Sequence, residues 1–159
     1  MLRLLLLLLL TLAPSAALAG PGTLAVLYFH NQGNPELEPL KVGLAQMLIT
    51  DLQGTDGLTV VERQQLQAIL DELELGHGGV ADKDTAAKVG KLLGAEWILM
   101  GGDFELAGTL RIDARLVRVE TGEILHAHGE NGTTPDFLKL QDALAEAFRR
   151  PIETPLRIH

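Results

Sequence analysis

The sequence predicts an α/β fold: a single domain with a mixed five-stranded sheet, parallel in its first part and closing in an antiparallel C-terminal meander, with helices on both faces. Three observations carry this. Short apolar runs alternate with stretches of helical periodicity as far as Gly94, the pattern of strands joined through helices. From Glu96 onward, runs of strand type are separated only by turn residues, so the last strands pair antiparallel. Between Thr23 and Glu130 the order reads strand, helix, strand, helix, helix, then three strands, which forces parallel and antiparallel pairs into one sheet.

Thr23 to His30 (TLAVLYFH) is the first strand, apolar enough to be buried on both faces. Asn34 as N-cap and Pro35 at the first helical position open a helix with Leu37, Leu40, Leu44, Met47, Leu48 and Leu52 on one face. Leu58 to Glu62 is a second strand. The helix after it spaces Leu66, Ile69, Leu70 and Leu73 at i, i+3, i+4 and i+7, and Gly76 to Gly79 ends it. Asp82 caps a third helix with Ala86, Val89, Leu92 and Leu93 inward, stopped by Gly94. Glu96 to Phe104 is the next strand, in which Gly101 and Gly102 mark a bulge or a close backbone contact.

Ala107-Gly108 is a hairpin turn, after which Leu110, Ile112, Ala114 and Leu116 alternate with Arg111, Asp113 and Arg115, placing one face in the core and the other in water. Glu120 to Glu123 turns the chain into a strand from Ile124 to about His128. Thr134-Pro135 then opens a last helix whose Phe137, Leu140, Leu144 and Phe148 share a face. On this reading residues 1–19 are a signal peptide, 20–150 the α/β domain and 151–159 a C-terminal tail.

The N-terminus carries the marks of export. Arg3 supplies the positive charge, Leu4 to Leu12 a short apolar run and Ala17-Leu18-Ala19 a small-x-small site, so cleavage is expected between Ala19 and Gly20. The run is too short to cross a bilayer, which needs about 20 apolar residues. The formal charge of −8 becomes one unit more negative once Arg3 is removed, which argues against nucleic acid as a partner and against an electrostatic grip on anionic lipid. With no cysteine there is no disulfide, no thiolate metal site and no N-terminal lipid anchor.

The search for chemistry returns little. No glycine-rich segment joins a strand to a helix as a nucleotide loop does. The only serine, Ser15, lies in the signal segment, so cysteine and serine nucleophiles are both missing from the exported domain. His126 and His128 stand two apart on a strand with Glu130 next in phase, a geometry able to collect a metal, although half-exposed sheet histidines account for it as well. No catalytic residue, cofactor or metal site is expected.

Three segments, taken together, carry a family resemblance: Val60 to Leu70 (VVERQQLQAIL), Ala86 to Gly101, and Leu110 to Leu125 (LRIDARLVRVETGEIL). They resemble the periplasmic domain of the curli-secretion channel family, the CsgG-like proteins, and the opening strand and first helix fit too, from Thr23 to Glu130. The resemblance implies a periplasmic domain that works by assembly, among relatives that include secretion channels, peptidoglycan-synthase activators and the N-terminal domain of TolB. This chain lacks the acylated cysteine and the long lipid-compatible hairpins of the channels, since Arg111, Asp113 and Arg115 face outward on its only extended pairs. The expected role is a non-enzymatic periplasmic adaptor or assembly protein. Its alternatives are a regulator of an envelope enzyme or a subunit of a secretion complex. The partner is an envelope protein or a second copy, met through Asn31 and Gln32, through Glu62 and Arg63, or at an uncovered sheet edge.

Overall fold

The computed structural model describes residues 22–75, 80 and 82–156. The proposed cleavage site at Ala19 and Gly20 and the helix stop at Gly76 to Gly79 lie outside them. The strands are β1 (Gly22–Val26), β2 (His30–Asn31), β3 (Leu58–Val60), β4 (Trp97–Leu106), β5 (Thr109–Arg118) and β6 (Ile124–Gly132). The helices are α1 (Glu38–Leu52), α2 (Arg63–Glu72), α3 (Lys83–Leu92) and α4 (Phe137–Leu156). The sheet runs β3-β1-β4-β5-β6, with β2 paired to β4 beside this path. β3, β1 and β4 are parallel, and β4, β5 and β6 antiparallel, as expected.

Strand alternation sorts the two faces. Leu99 pairs with Val26 and Leu116, Leu116 pairs with His126, and Phe148 of α4 rests edge-on against the His126 ring, 5.1 Å between centroids. This face is covered by α1 and α4, joined by a Gln141 amide donating to the Asp51 carboxylate. Ile98 and Val117 belong to the other face, where α3 lies so close that a Cβ on Gly90 would come within 2.7 Å of the Ile98 and Val119 side chains. α2 packs beside α3. Beyond α3 that second face is open, and it carries Met100, Phe104, Arg111, Asp113 and Arg115.

Several elements differ from the sequence expectation. The strand expected over Thr23 to His30 is divided: the chain takes four steps from Val26 to His30 where β4 takes three from Leu99 to Gly102. The extra residue is a bulge, and it reverses the inside-outside alternation of everything after it. In α1 the buried stripe is Lys41, Leu44, Ala45, Leu48, Ile49 and Leu52, continuing from Leu37 in the turn before it, with Leu40 and Met47 only half-buried. The stripe is rotated because α1 faces both the sheet and α4. Asn34 caps the chain at Glu36 N as expected, but the first turn, Pro35–Leu37, is a 3-10 helix. In α3, Leu92 is exposed and Gly90 takes the sheet-facing place, since only a residue without a side chain fits there.

β6 runs four residues beyond His128. The last helix passes through Pro151 to Leu156, so residues 151–156 belong to it and not to a separate tail. Pro151 and Pro155 each remove one backbone hydrogen bond, and burial of Ile152 works against that loss. The Ala107-Gly108 turn is confirmed by positive φ at both residues, 50° and 77°.

Candidate functional site

In open sheets with helices on both faces, binding surfaces lie beyond the carboxyl ends of parallel strands. Here those ends are Val26 with its continuation to β2, and Val60 with Val61 to Arg63. β1 and β3 are neighbours, so the two loops singled out in the sequence leave the same edge of the sheet. Tyr28 joins them: its buried hydroxyl donates to Gln67 Oε1 (2.8 Å) on α2 and accepts from Arg63 Nε (3.5 Å). The bulge turns Tyr28 toward α2, because it reverses the alternation before that residue.

The four residues expected to meet a partner divide into two kinds. Asn31 is turned inward on its own loop: its Nδ2 donates to the Asn34 carbonyl (2.7 Å) and its Oδ1 accepts from Asn34 N (3.2 Å). Asn34 in turn donates to Glu105 Oε2 (3.1 Å). Asn31 therefore shapes the loop. Gln32 donates its backbone N–H to the Asp103 carbonyl (2.9 Å), and its exposed side chain reaches over Gly102.

Glu62 stands at the N-cap of α2 and accepts from Gln53 Nε2 (3.0 Å), with Arg63 opening the helix. Both are exposed. They border a hollow shared with Gln46, Gln64 and Gln67. Gln32 borders another, of about 290 Å³, with His30, Met100, Phe104, Asp113 and Arg115. This second hollow is the part of the sheet that α3 leaves open. Nearby, Arg111 grips Asp113 through Nε (2.9 Å) and Nη2 (2.7 Å) and reaches Asn131 through Nη1 (3.1 Å). The result is a mixed-charge floor with Phe104 and Met100 at its side.

Beneath the loop lies a residue that sequence reasoning passed over. Asp103 is 4% exposed, and among the described residues neither of its carboxylate oxygens has a hydrogen-bond partner. Burial, with Glu38 nearby adding to it, pushes its carboxyl up to about 6, while His30 and Lys41 act in the opposite direction. Lys41 is itself buried and paired with Glu38. The available signal was strand phase, because Asp103 shares the inward face of β4 with Leu99 and Gly101. Gly101 is a contact glycine: a Cβ there would strike the Asp113 carbonyl and stand 2.5 Å from the Phe29 ring.

His126 and His128 do share a side, as their spacing implied, with rings stacked at 6.4 Å between centroids and His128 Nε2 2.7 Å from Glu130 Oε1. Among the described residues no group of three or more histidines and carboxylates is placed to hold a metal ion. No helix of these residues is long and apolar enough to cross a membrane.

The fold is that of a small α/β domain, with the Gln32 loop and the Glu62–Arg63 corner both at the carboxyl ends of its parallel strands. The chain belongs to the CsgG family: residues 9–106, more than half of its length, match the family described as curli production assembly/transport component CsgG. The match ends at the tip of β4, so the Leu110 to Leu125 segment of the sequence resemblance lies beyond it.

Among solved structures, the chain is similar to the LpoB C-terminal domain from Salmonella enterica (19% identity, TM-score 0.58, 75% of this chain and 87% of that one). It is similar to lipoprotein GNA1162 from Neisseria meningitidis (14%, TM-score 0.59, 82% and 99%). It also resembles TolB from Acinetobacter baumannii (16%, TM-score 0.56, 83% and 28%). At these identities the likeness is one of fold. A putative adenylate cyclase 3 of Rhizobium meliloti (strain 1021) is 30% identical over 146 residues, 91% of this chain. The chain spans only 22% of that protein's length.

Proposed function

We propose that this chain is a non-enzymatic adaptor or assembly protein of the bacterial envelope, exported to the periplasm by cleavage between Ala19 and Gly20. It contacts a protein partner at the loop edge of its sheet. The observation that carries the reading is the joining of the two loops through Tyr28 into one surface beside the open hollow, with family membership supporting an assembly role. Gln32, Glu62 and Arg63 meet the partner on this reading, and Asn31 holds the loop in shape.

The test is partner recovery by crosslinking and mass spectrometry in the native envelope, with Gln32→Arg compared against the double reversal Glu62→Lys, Arg63→Glu. Interface energy is concentrated in a few central residues, so at least one variant loses the partner while circular dichroism stays unchanged. Retention of the partner by both, with function abolished by His30→Ala alone, would replace this reading with an enzymatic one. The identity of the captured protein separates a structural assembly from a regulated envelope enzyme.

A further inference from the structure

The geometry points to a second interaction surface, independent of the loop edge: the outer edge of β6, on which a second copy of this chain pairs antiparallel about a twofold axis through His128. β6 is the long edge of the sheet, nine residues paired with β5 alone among the described elements, whereas the opposite edge, β3, has three. A free edge presents a row of unpaired backbone donors and acceptors, and soluble proteins usually blunt it with lysine or proline. The β6 sequence, ILHAHGENG, has neither, and its one irregularity, at Leu125, lies near the start of the strand and leaves His126 to Gly132 in regular register.

A second copy is the occupant that the side chains of β6 complement. In an antiparallel pair centred on His128 the regular stretch His126 to Glu130 overlaps in full, and His126 of each copy lies opposite Glu130 of the other. Residues directly opposite have Cβ atoms about 4.5–5.5 Å apart, within hydrogen-bonding reach of an imidazole N–H and a carboxylate. Within one chain Glu130 is already bound to His128, while among the described residues His126 has ring neighbours, His128 and Phe148, and no carboxylate partner. The second copy supplies that carboxylate twice. On the other face Ala127 meets Gly129, which leaves the backbones room to approach.

Because the chain has no cysteine, one introduced residue reads the register. Facing Cα atoms in an antiparallel pair stand about 4.5–5.5 Å apart, within disulfide range. Under mild oxidation of the purified protein, His128→Cys is expected to form a covalent dimer about tenfold faster than Glu120→Cys in the exposed turn. In sedimentation equilibrium the unmodified protein associates with rising concentration. Glu130→Arg weakens that association about tenfold, and His126→Glu combined with Glu130→Arg restores it. Should a variant unfold, hydrogen exchange of the unmodified protein at two concentrations replaces it, with β6 amides more protected at the higher one. Crosslinking of His128→Cys no faster than the control, a monomer at millimolar concentration, or an assembly indifferent to Glu130→Arg would overturn the proposal.

Discussion

Asp103 shows how much a single position can cost a fold. A buried carboxylate with no hydrogen-bond partner among the described residues is disfavoured when charged, and its folded-state value of about 6 against an ordinary 3.8 expresses that. Since the folded chain holds this proton more tightly than the unfolded one, Asp103 weakens the fold above pH 6. The penalty fades as pH falls from 6 toward 3.8. Asp103→Asn is therefore expected to stabilise the protein by about 2 kcal/mol at pH 7.5, somewhat less than the full shift because the buried amide also lacks partners. The gain shrinks as pH drops through 6 and is absent near pH 4. Thermal melts of both proteins from pH 4 to 7.5 measure it, and equal melting temperatures at pH 7.5 would show that the buried charge costs nothing. Strand phase made the inward place of Asp103 legible, but the company of Glu38, Lys41 and His30 was not. Those residues come from distant parts of the chain.

At the level of elements, α4 holds the meander. Phe148 is fully buried, packs edge-on against His126 of β6, and belongs to the helix that covers β5 and β6. Phe148→Ala is expected to cost about 3–5 kcal/mol in urea unfolding, as for other buried phenylalanines. Leu138→Ala, one helix face away at 63% exposure, changes stability by less than about 0.5 kcal/mol at low protein concentration. A similar loss for both would mean that α4 contributes through helix propensity and not through docking. The inward face of α4 was readable from the 3.6-residue spacing. Its passage through Pro151 was not, because the local rule against proline was overruled by burial of Ile152.

For the whole molecule, export is the remaining commitment. An exported protein of this sequence is expected to begin at Gly20, and N-terminal sequencing of a periplasmic extract checks it. Recovery of intact Met1 from the membrane fraction would make the segment an anchor. The two proposed surfaces are separate tests of how the domain is used. The loop edge lies at the carboxyl ends of β1 and β3, while β6 is at the far side of the sheet. One can fail without the other.

The sequence by itself determined the class of fold, the order of strands and helices, the antiparallel meander and the placing of His126, His128 and Glu130 on one side. All of these follow from spacing along the chain, where a period of 2 or 3.6 and a turn residue act locally. Only the tertiary structure decided that an extra residue after Val26 turns Tyr28 toward Arg63, that Asn31 serves its own loop while Gln32 faces out, and that Asp103 lies buried without a donor. The physical reason is that each depends on which distant segment packs against it. One extra residue against β4, or a helix distant in the chain, reverses a side chain's surroundings without leaving any periodic trace in its own stretch of sequence.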